Sequence, residues 1–182
     1  VVEREVKLSF PTADDARAAI VAAGASPLRS RRLQEDALCD TADESLRRQG
    51  CALRIRTEAG HSLVTFKGPV QPGMMKVREE HETVIGDGEV LMKVFEALAL
   101  RVWFRSQKYR EEFSSSDLTI TIDETPVGTF VELEGGENAI LTMTEALGRT
   151  PADFILDSYY RLFQQRRAQF GLAGDHMVFP AE

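Results

Sequence analysis

Charged and apolar residues alternate along the first ten positions, V-V-E-R-E-V-K-L-S-F. Successive side chains of a strand point to opposite faces, so Glu3, Glu5 and Lys7 share one face. Val2, Val6 and Leu8 share the other, with Arg4 as the exception. Other elements follow from the same patterns. Pro11 to Gly24 reads as a helix, with Thr12 or Ala13 at its cap, Asp14 and Asp15 in the first turn and Gly24 as the stop. Ser30 to Cys39 reads as a strand, and Ala42 to Gln49 as a short helical link closed by Gly50. Ala52 to Glu58 and Ser62 to Lys67 form a hairpin across Ala59-Gly60-His61. Strands are expected at Lys76 to Val84, Val102 to Phe113, Leu118 to Glu124 and Thr129 to Glu134, the last two joined by a turn at Thr125-Pro126-Val127-Gly128. Val90 to Leu100, Asn138 to Leu147 and Ser158 to Phe170 have helical spacing.

The strands repeat the spacing of the first. Arg54 and Arg56 flank Ile55; Lys67 ends V-T-F-K; Arg78, Glu80 and Glu82 alternate; Lys108 and Arg110 flank Tyr109. Asp123 lies two after Thr121, and Glu132 and Glu134 flank Leu133. One such pair would suit a wetted sheet face. Together they are seven acids (Glu3, Glu5, Glu80, Glu82, Asp123, Glu132, Glu134) against seven bases (Lys7, Arg54, Arg56, Lys67, Arg78, Lys108, Arg110). Wetted faces usually mix in Thr, Ser, Gln and Asn, whereas here charge is concentrated at every second position. An antiparallel sheet closed on itself accounts for this: apolar faces point outward under helices and charged faces line a tunnel. The expected fold is therefore α+β, an eight-stranded antiparallel β-barrel with helices packed outside. It is expected to be a single domain over residues 1–182, with a strand core to about 135 and C-terminal helices within 137–170.

Composition restricts the partners. The 182 residues are 43% hydrophobic and 28% charged, enough apolar material for a core. No apolar run approaches the roughly 18 to 20 residues of a membrane span, and the first residues lack the basic and apolar regions of a secretory leader. A net charge of −7 argues against nucleic acid held on a basic surface. Cys39 and Cys51 match no metal or redox spacing and are expected as free thiols in a reducing, cytoplasmic setting. The oligomeric state stays open, a homodimer included.

Glu3-x-Glu5-x-Lys7 at the start of the chain resembles the signature of the CYTH superfamily, the triphosphate tunnel metalloenzymes. Asp40-Thr41, Arg54-x-Arg56, Lys67 before Gly68, Arg78-x-Glu80-x-Glu82, Lys108-x-Arg110, Asp123 and Glu132-x-Glu134 follow in the family's order. Ser158-Tyr159 before an apolar helix is similar to its C-terminal helix. The resemblance implies a β tunnel binding a small triphosphate with Mg²⁺ or Mn²⁺. Under it, Glu3, Glu5, Asp123, Glu132 and Glu134 are candidate metal ligands. Lys7, Arg54, Arg56, Lys67, Arg78, Lys108 and Arg110 are candidate phosphate contacts. Glu3, Glu5 and Lys7 are the candidate catalytic set, with Glu80, Glu82 and Asp40 supporting. Arginine grips phosphate oxygens bidentately, and carboxylates beside a polyanion need cations between.

The family's activities include inorganic, thiamine and nucleoside triphosphatases and class IV adenylate cyclases. A cyclase needs a nucleoside pocket with stacking groups. No aromatic cluster falls on the tunnel-facing parity, Leu38 stands where many members carry an aromatic, and no histidine-phenylalanine pair lies near Asp40. Hydrolysis of inorganic tripolyphosphate is therefore the leading expectation, ahead of a cyclase and of thiamine or nucleoside triphosphatases, with a non-catalytic polyphosphate or nucleotide binder last. Trp103 is expected to pack in the core, on the face opposite Lys108, and His61, His81 and His176 outside the tunnel. Met74-Met75 is expected in a plain loop. Arg29, Arg31 and Arg32, like Arg161, Arg166 and Arg167, are expected as solvated clusters, and the tail from Leu172 shows no role.

Overall fold

The computed structural model describes residues 1–180. Eight antiparallel strands close into a barrel: β1 (Val2–Phe10), β2 (Ser26–Thr41), β3 (Ala52–Glu58), β4 (His61–Lys67), β5 (Lys76–Ile85), β6 (Leu100–Ser115), β7 (Leu118–Thr125) and β8 (Gly128–Glu134). Their order around the barrel is β1-β5-β4-β3-β2-β6-β7-β8. Three α-helices lie in the connections, α1 (Ala13–Ala22), α2 (Ser45–Arg48) and α3 (Gly88–Ala97), and two follow β8, α4 (Glu137–Ala146) and α5 (Tyr159–Arg166). The fold is the expected α+β tunnel. Closure satisfies every strand edge, so the barrel needs no further sheet partner.

Local chemistry sets the element ends. Thr12 caps α1, its hydroxyl accepting from the Asp15 amide. The β3–β4 turn is the two residues Ala59 and Gly60, both at positive φ, which suits the twist of a tight hairpin. β2 and β6 are longer than their alternation suggested, because register shifts around Pro27 and Arg29 let the pair continue past the interrupted pattern. α5 ends at Arg166, short of Phe170.

The apolar faces turn outward, as expected. Val6 and Leu8 of β1, Ile120 and Ile122 of β7 and Val131 and Leu133 of β8 form one buried cluster with Ala16 and Ile20 of α1 and Ile140 and Met143 of α4. Met75 joins this core rather than lying in a plain loop, while Met74 is exposed. α3 covers its side less completely: Val90, Val94 and Leu98 stay exposed. A second cluster gathers Phe104 of β6, Val127, Phe130 of β8 and Leu162 and Phe163 of α5. Phe104 shares parity with Lys108, and Phe130 with Glu132, so α5 is seated against inward-facing positions at one end of the barrel. The tail, unread in the sequence, pairs Met177 with the β6 backbone and buries its side chain in this cluster.

Phe163 is fully buried and touches Phe104 at a ring-centroid distance of 5.7 Å. Phe163→Ala is expected to cost about 3–5 kcal/mol, the usual range for deleting a buried aromatic. Urea unfolding checks it: a change in stability below about 1 kcal/mol would mean that α5 is not an integral part of the core.

Candidate functional site: the charged tunnel

Strand register brings the predicted charges face to face. Glu3 lies opposite Arg78, Glu5 opposite Lys76 on one side and Glu134 on the other, and Lys7 opposite Glu132. Lys67 lies opposite Glu80 and Arg110 opposite Asp123. A cavity of about 920 Å³ is lined by all of the predicted inward residues except Asp123, which lies beneath it, and Asp40. Its mouth lies among exposed residues of α2, the Gly50–Cys51 link, Val70 and the segment 156–161.

One end of the charge network is built on Asp123, which is fully buried. Lys108 Nζ donates to it at 2.7 Å, Arg110 Nε and Nη2 at 2.6 Å each, and the Tyr159 hydroxyl at 2.6 Å. Burial alone would raise the Asp123 pKa, but the Arg110 and Lys108 charges hold it below the usual carboxylate range. Arg110 also pairs with Glu132, which meets Lys7 at 3.2 Å. The predicted ligands Asp123 and Glu132 are both engaged by tunnel cations. Lys7, only 2% exposed, lies between Glu5 and Glu132, and its ammonium is held protonated by both.

A second group surrounds Glu3, Glu5 and Glu134. Lys67 donates to both Glu3 oxygens at 2.8 and 2.9 Å and pairs with Glu80 at 2.6 Å. Lys76 donates to Glu5 at 2.6 Å. Glu134 makes no ion pair among the described residues and reaches the solvent. Loss of hydration along the barrel wall, then the Glu3 and Glu5 charges, push its pKa up to about 7. No three carboxylates converge at metal-ligand geometry among the described residues, because Glu3 and Glu5 are turned onto lysines. The donor set still fits a hard divalent cation: three carboxylates, by register and by mutual repulsion, share one region.

Arginines form the third group. Arg56 grips Asp36 bidentately at 2.7 and 2.8 Å. Arg54 donates to Thr65 at 3.0 Å, and Thr65 donates to Glu82 at 2.7 Å. Arg54 Nε is buried with no hydrogen-bond acceptor among the described residues, and burial together with the Arg56 charge lowers its pKa. Arg54 Nη2 also pairs with Glu82 at 3.3 Å, so one nitrogen of this guanidinium is left without an acceptor.

The sequence reading missed several residues. Lys76 shares the parity of Arg78, so the signal was present, one step before the run that was read. Burial and the neighbouring Lys7 charge lower its pKa to about 8. Burial and Arg110 do the same to Lys108. Asp36 stands alone among uncharged inward neighbours and carried no pattern. Asp40 lies outside the cavity lining: it accepts the amides of Thr41, Leu46 and Arg47 and so fixes the α2 turn. His61, His81 and His176 are exposed, as expected, and Cys39 and Cys51 are free.

Two aromatic expectations are corrected. β6 carries one extra residue where Leu38 pairs Phe104 but Cys39 pairs Val102, and the extra residue is Trp103. The bulge breaks parity, so Trp103 lines the cavity instead of lying wholly in the core. It meets the Tyr160 ring edge at 4.8 Å, and the Arg47 guanidinium lies 4.0 Å over its ring. Leu38, Phe104, Tyr159 and Tyr160 also line the cavity, so an aromatic cluster does face the tunnel. Strand parity could not show it, because α5 supplies half of it.

A profile of the CYTH domain matches residues 2–148. The chain belongs to the CYTH domain family. CYTH-superfamily enzymes include triphosphatases and adenylate cyclases, and the tunnel metalloenzymes among them use divalent metals. A Methanocaldococcus jannaschii protein named as a candidate adenylate cyclase is 36% identical over 105 residues, 57% of this chain and 60% of that one. The match thus spans about three fifths of the length of that curated relative. Among solved CYTH-like folds, a candidate adenylate cyclase from Vibrio parahaemolyticus superposes with a TM-score of 0.77 at 22% identity, covering 89% of this chain and 97% of that one. A Hippeastrum protein described as a candidate adenylyl cyclase with a dominant triphosphatase activity superposes with a TM-score of 0.67 at 17% identity, covering 90% and 95%. At these identities the likeness is one of fold. No helix among the described residues is long and apolar enough to cross a membrane.

The crowding of carboxylates in this CYTH tunnel is open to direct measurement. In metal-free protein the Glu134 carboxyl is expected to titrate near pH 7, charged above and neutral below. Glu3→Gln removes a neighbouring charge and is expected to lower that midpoint. Carboxyl NMR shifts would show it; an unmoved midpoint would mean that Glu3 and Glu134 do not interact.

Proposed function

We propose that this chain is a divalent-metal-dependent triphosphatase whose tunnel takes a short triphosphate, inorganic tripolyphosphate first. The observation that carries the reading is the coexistence of Arg54, whose Nε is buried with no hydrogen-bond acceptor among the described residues, with the neighbouring carboxylates Glu3, Glu5 and Glu134. A pure anion binder gains nothing from Glu134, which makes no ion pair among the described residues and stands beside Glu3 and Glu5. Arg54, Arg56, Lys67, Arg78, Lys108 and Arg110 would contact phosphate oxygens, with Lys7 beside them. Asp36, Asp123, Glu132 and Tyr159 would orient these cations, and Glu80 and Glu82 would hold Lys67 and Arg54.

Glu3, Glu5 and Glu134 would hold Mg²⁺ or Mn²⁺, both of which favour oxygen ligands. Such an ion supplies charge neutralisation at the phosphates and acidifies a water. The lysines now on Glu3 and Glu5 are mobile point charges that can pass to the phosphate. In the net reaction water oxygen bonds to the terminal phosphorus and the bridging P–O bond breaks. Tripolyphosphate and water thus give pyrophosphate, orthophosphate and a proton. Positioning and charge stabilisation are the protein's main contribution to such a transfer. Free cysteines support a reducing, cytoplasmic setting.

A second reading, a nucleoside triphosphate hydrolysed or cyclised, is favoured by Trp103, Tyr160 and Arg47 at the mouth. A planar ring there would compete with Arg47 for the Trp103 face.

Glu5→Gln is expected to keep the fold and lower metal-dependent turnover about a hundredfold or more, the loss of several kcal/mol of charge stabilisation. The assay is phosphate release from tripolyphosphate, ATP and thiamine triphosphate with Mg²⁺ or Mn²⁺, beside cyclic AMP formation. Near wild-type turnover in this variant would remove Glu5 from the metal site. Cyclic AMP as the main product would overturn the hydrolase reading. With Trp103→Ala, a raised KM for ATP but not for tripolyphosphate would favour the second reading.

A further inference from the structure

Beyond Arg56, Lys108 and Arg110 the inward-facing positions continue, but the cavity does not. On β3 the next residue of the same parity is Glu58, and on β2 Gln34 and Arg32 lie opposite Lys108 and Arg110. Glu112 follows Arg110 on β6. None of these four lines the cavity. They are cross-linked instead. Arg32 Nε donates to Glu58, and its Nη2 donates to Glu112. The Gln34 amide donates to the second Glu58 oxygen. Arg29 adds a contact to Glu58 at 2.8 Å from the outside. Gln34 and Glu58 are 3% and 6% exposed. Burial would raise the Glu58 pKa, but its Arg32 and Gln34 hydrogen bonds hold it below the usual range, so the bridge is charged. Arg29 and Arg32 were expected as a solvated cluster; Arg32 is in fact part of the barrel filling.

We infer that the Arg32–Glu58–Glu112 bridge with Gln34 is an internal stop that ends the cationic stretch of the tunnel and seats the terminus of a phosphate chain. The inward cation at this level, Arg32, is bonded to two carboxylates and lines no cavity, so an advancing chain meets a filled barrel rather than an open row of cations. The inward groups that reach solvent elsewhere, Glu82 and Glu134, are carboxylates, which give a polyanion no favourable exit. A chain can enter from the mouth end-first and trail outward, but it cannot thread through. The stop selects chain ends, whatever group remains at the mouth. This rests on the proposed phosphate-binding tunnel, but not on its hydrolytic activity.

The test compares binding with cleavage. Calorimetry would measure long-chain polyphosphate with free ends and the same polymer with both ends esterified. Wild type is expected to bind the free-ended polymer at least about tenfold more tightly. Glu58→Ala and Arg32→Ala, each checked for folding by circular dichroism, should erase that preference, whereas Glu58→Gln, which can still bond to Arg32 and Gln34, should keep it. With the hydrolysis assay running in parallel, wild type should release orthophosphate from chain ends, and the alanine variants should produce scattered chain lengths. Equal binding of both polymers by wild type, or an unchanged preference in folded alanine variants, would overturn the stop. Failure of tripolyphosphate, ATP and thiamine triphosphate as well as the polymers to be hydrolysed, while the end preference persists, would instead overturn the triphosphatase reading and leave the stop standing.

Discussion

Mutual neutralisation of charges enclosed by the barrel is the constraint on which the rest of this structure depends. A carboxylate or ammonium taken out of water loses several kcal/mol of solvation, and only close partners in good geometry restore it. Antiparallel register supplies those partners. Glu3 faces Arg78, Glu5 faces Lys76 and Lys7 faces Glu132, so each inward charge of β1 meets an opposite one across a strand gap. Glu5 against Glu134 is the exception, and it is there that a carboxylate pKa rises to about 7. A slip of one residue in β1 would send its charges into the apolar layer under α1 and α4. The register is thereby fixed from both faces at once.

Such a lining is not there for stability. Buried ion pairs are commonly no more stabilising than apolar residues of similar volume. Stability comes from the outer layer, where Val6, Leu8, Ile120, Ile122, Val131 and Leu133 lie under α1 and α4, and from α5 at one end. The barrel is an inverted sheet: its apolar surface is the foundation, and its polar surface is the working space. Pairing is incomplete at two places, Arg54 Nε, which has no acceptor among the described residues, and Glu134, whose nearest carboxylates are like charges.

The lining also divides by depth. Aromatic side chains and Arg47 stand at the mouth, lysines and arginines paired with carboxylates in the middle, and a closed ion-pair bridge at Arg32, Glu58 and Glu112 beyond. The same residue types therefore do different work by position. Arg56 holds Asp36 with the cavity in front of it, whereas Arg32 is consumed by two carboxylates with no cavity beside it.

Period-two charge along the strands by itself determined that one sheet face is ionic and the other apolar, because alternation is a local property of extended backbone, and with eight strands in the chain it pointed to a closed sheet. It also marked most of the inward charges between Glu3 and Glu134, but passed over Lys76, Asp36 and Arg32, which stand outside the repeated pairs. What tertiary structure alone decided was everything that parity cannot carry. A single bulge at Trp103 moved an aromatic ring to the tunnel, and α5, distant in sequence, brought Tyr159 and Tyr160 beside it. Asp40 shared the charge and order of a site residue but was drawn away to cap a turn. Whether Asp123 is a free ligand or the anchor of three donors depends on which side chains the closed barrel crowds against it. Alternation dictates the face on which a charge lies; only packing dictates its partner.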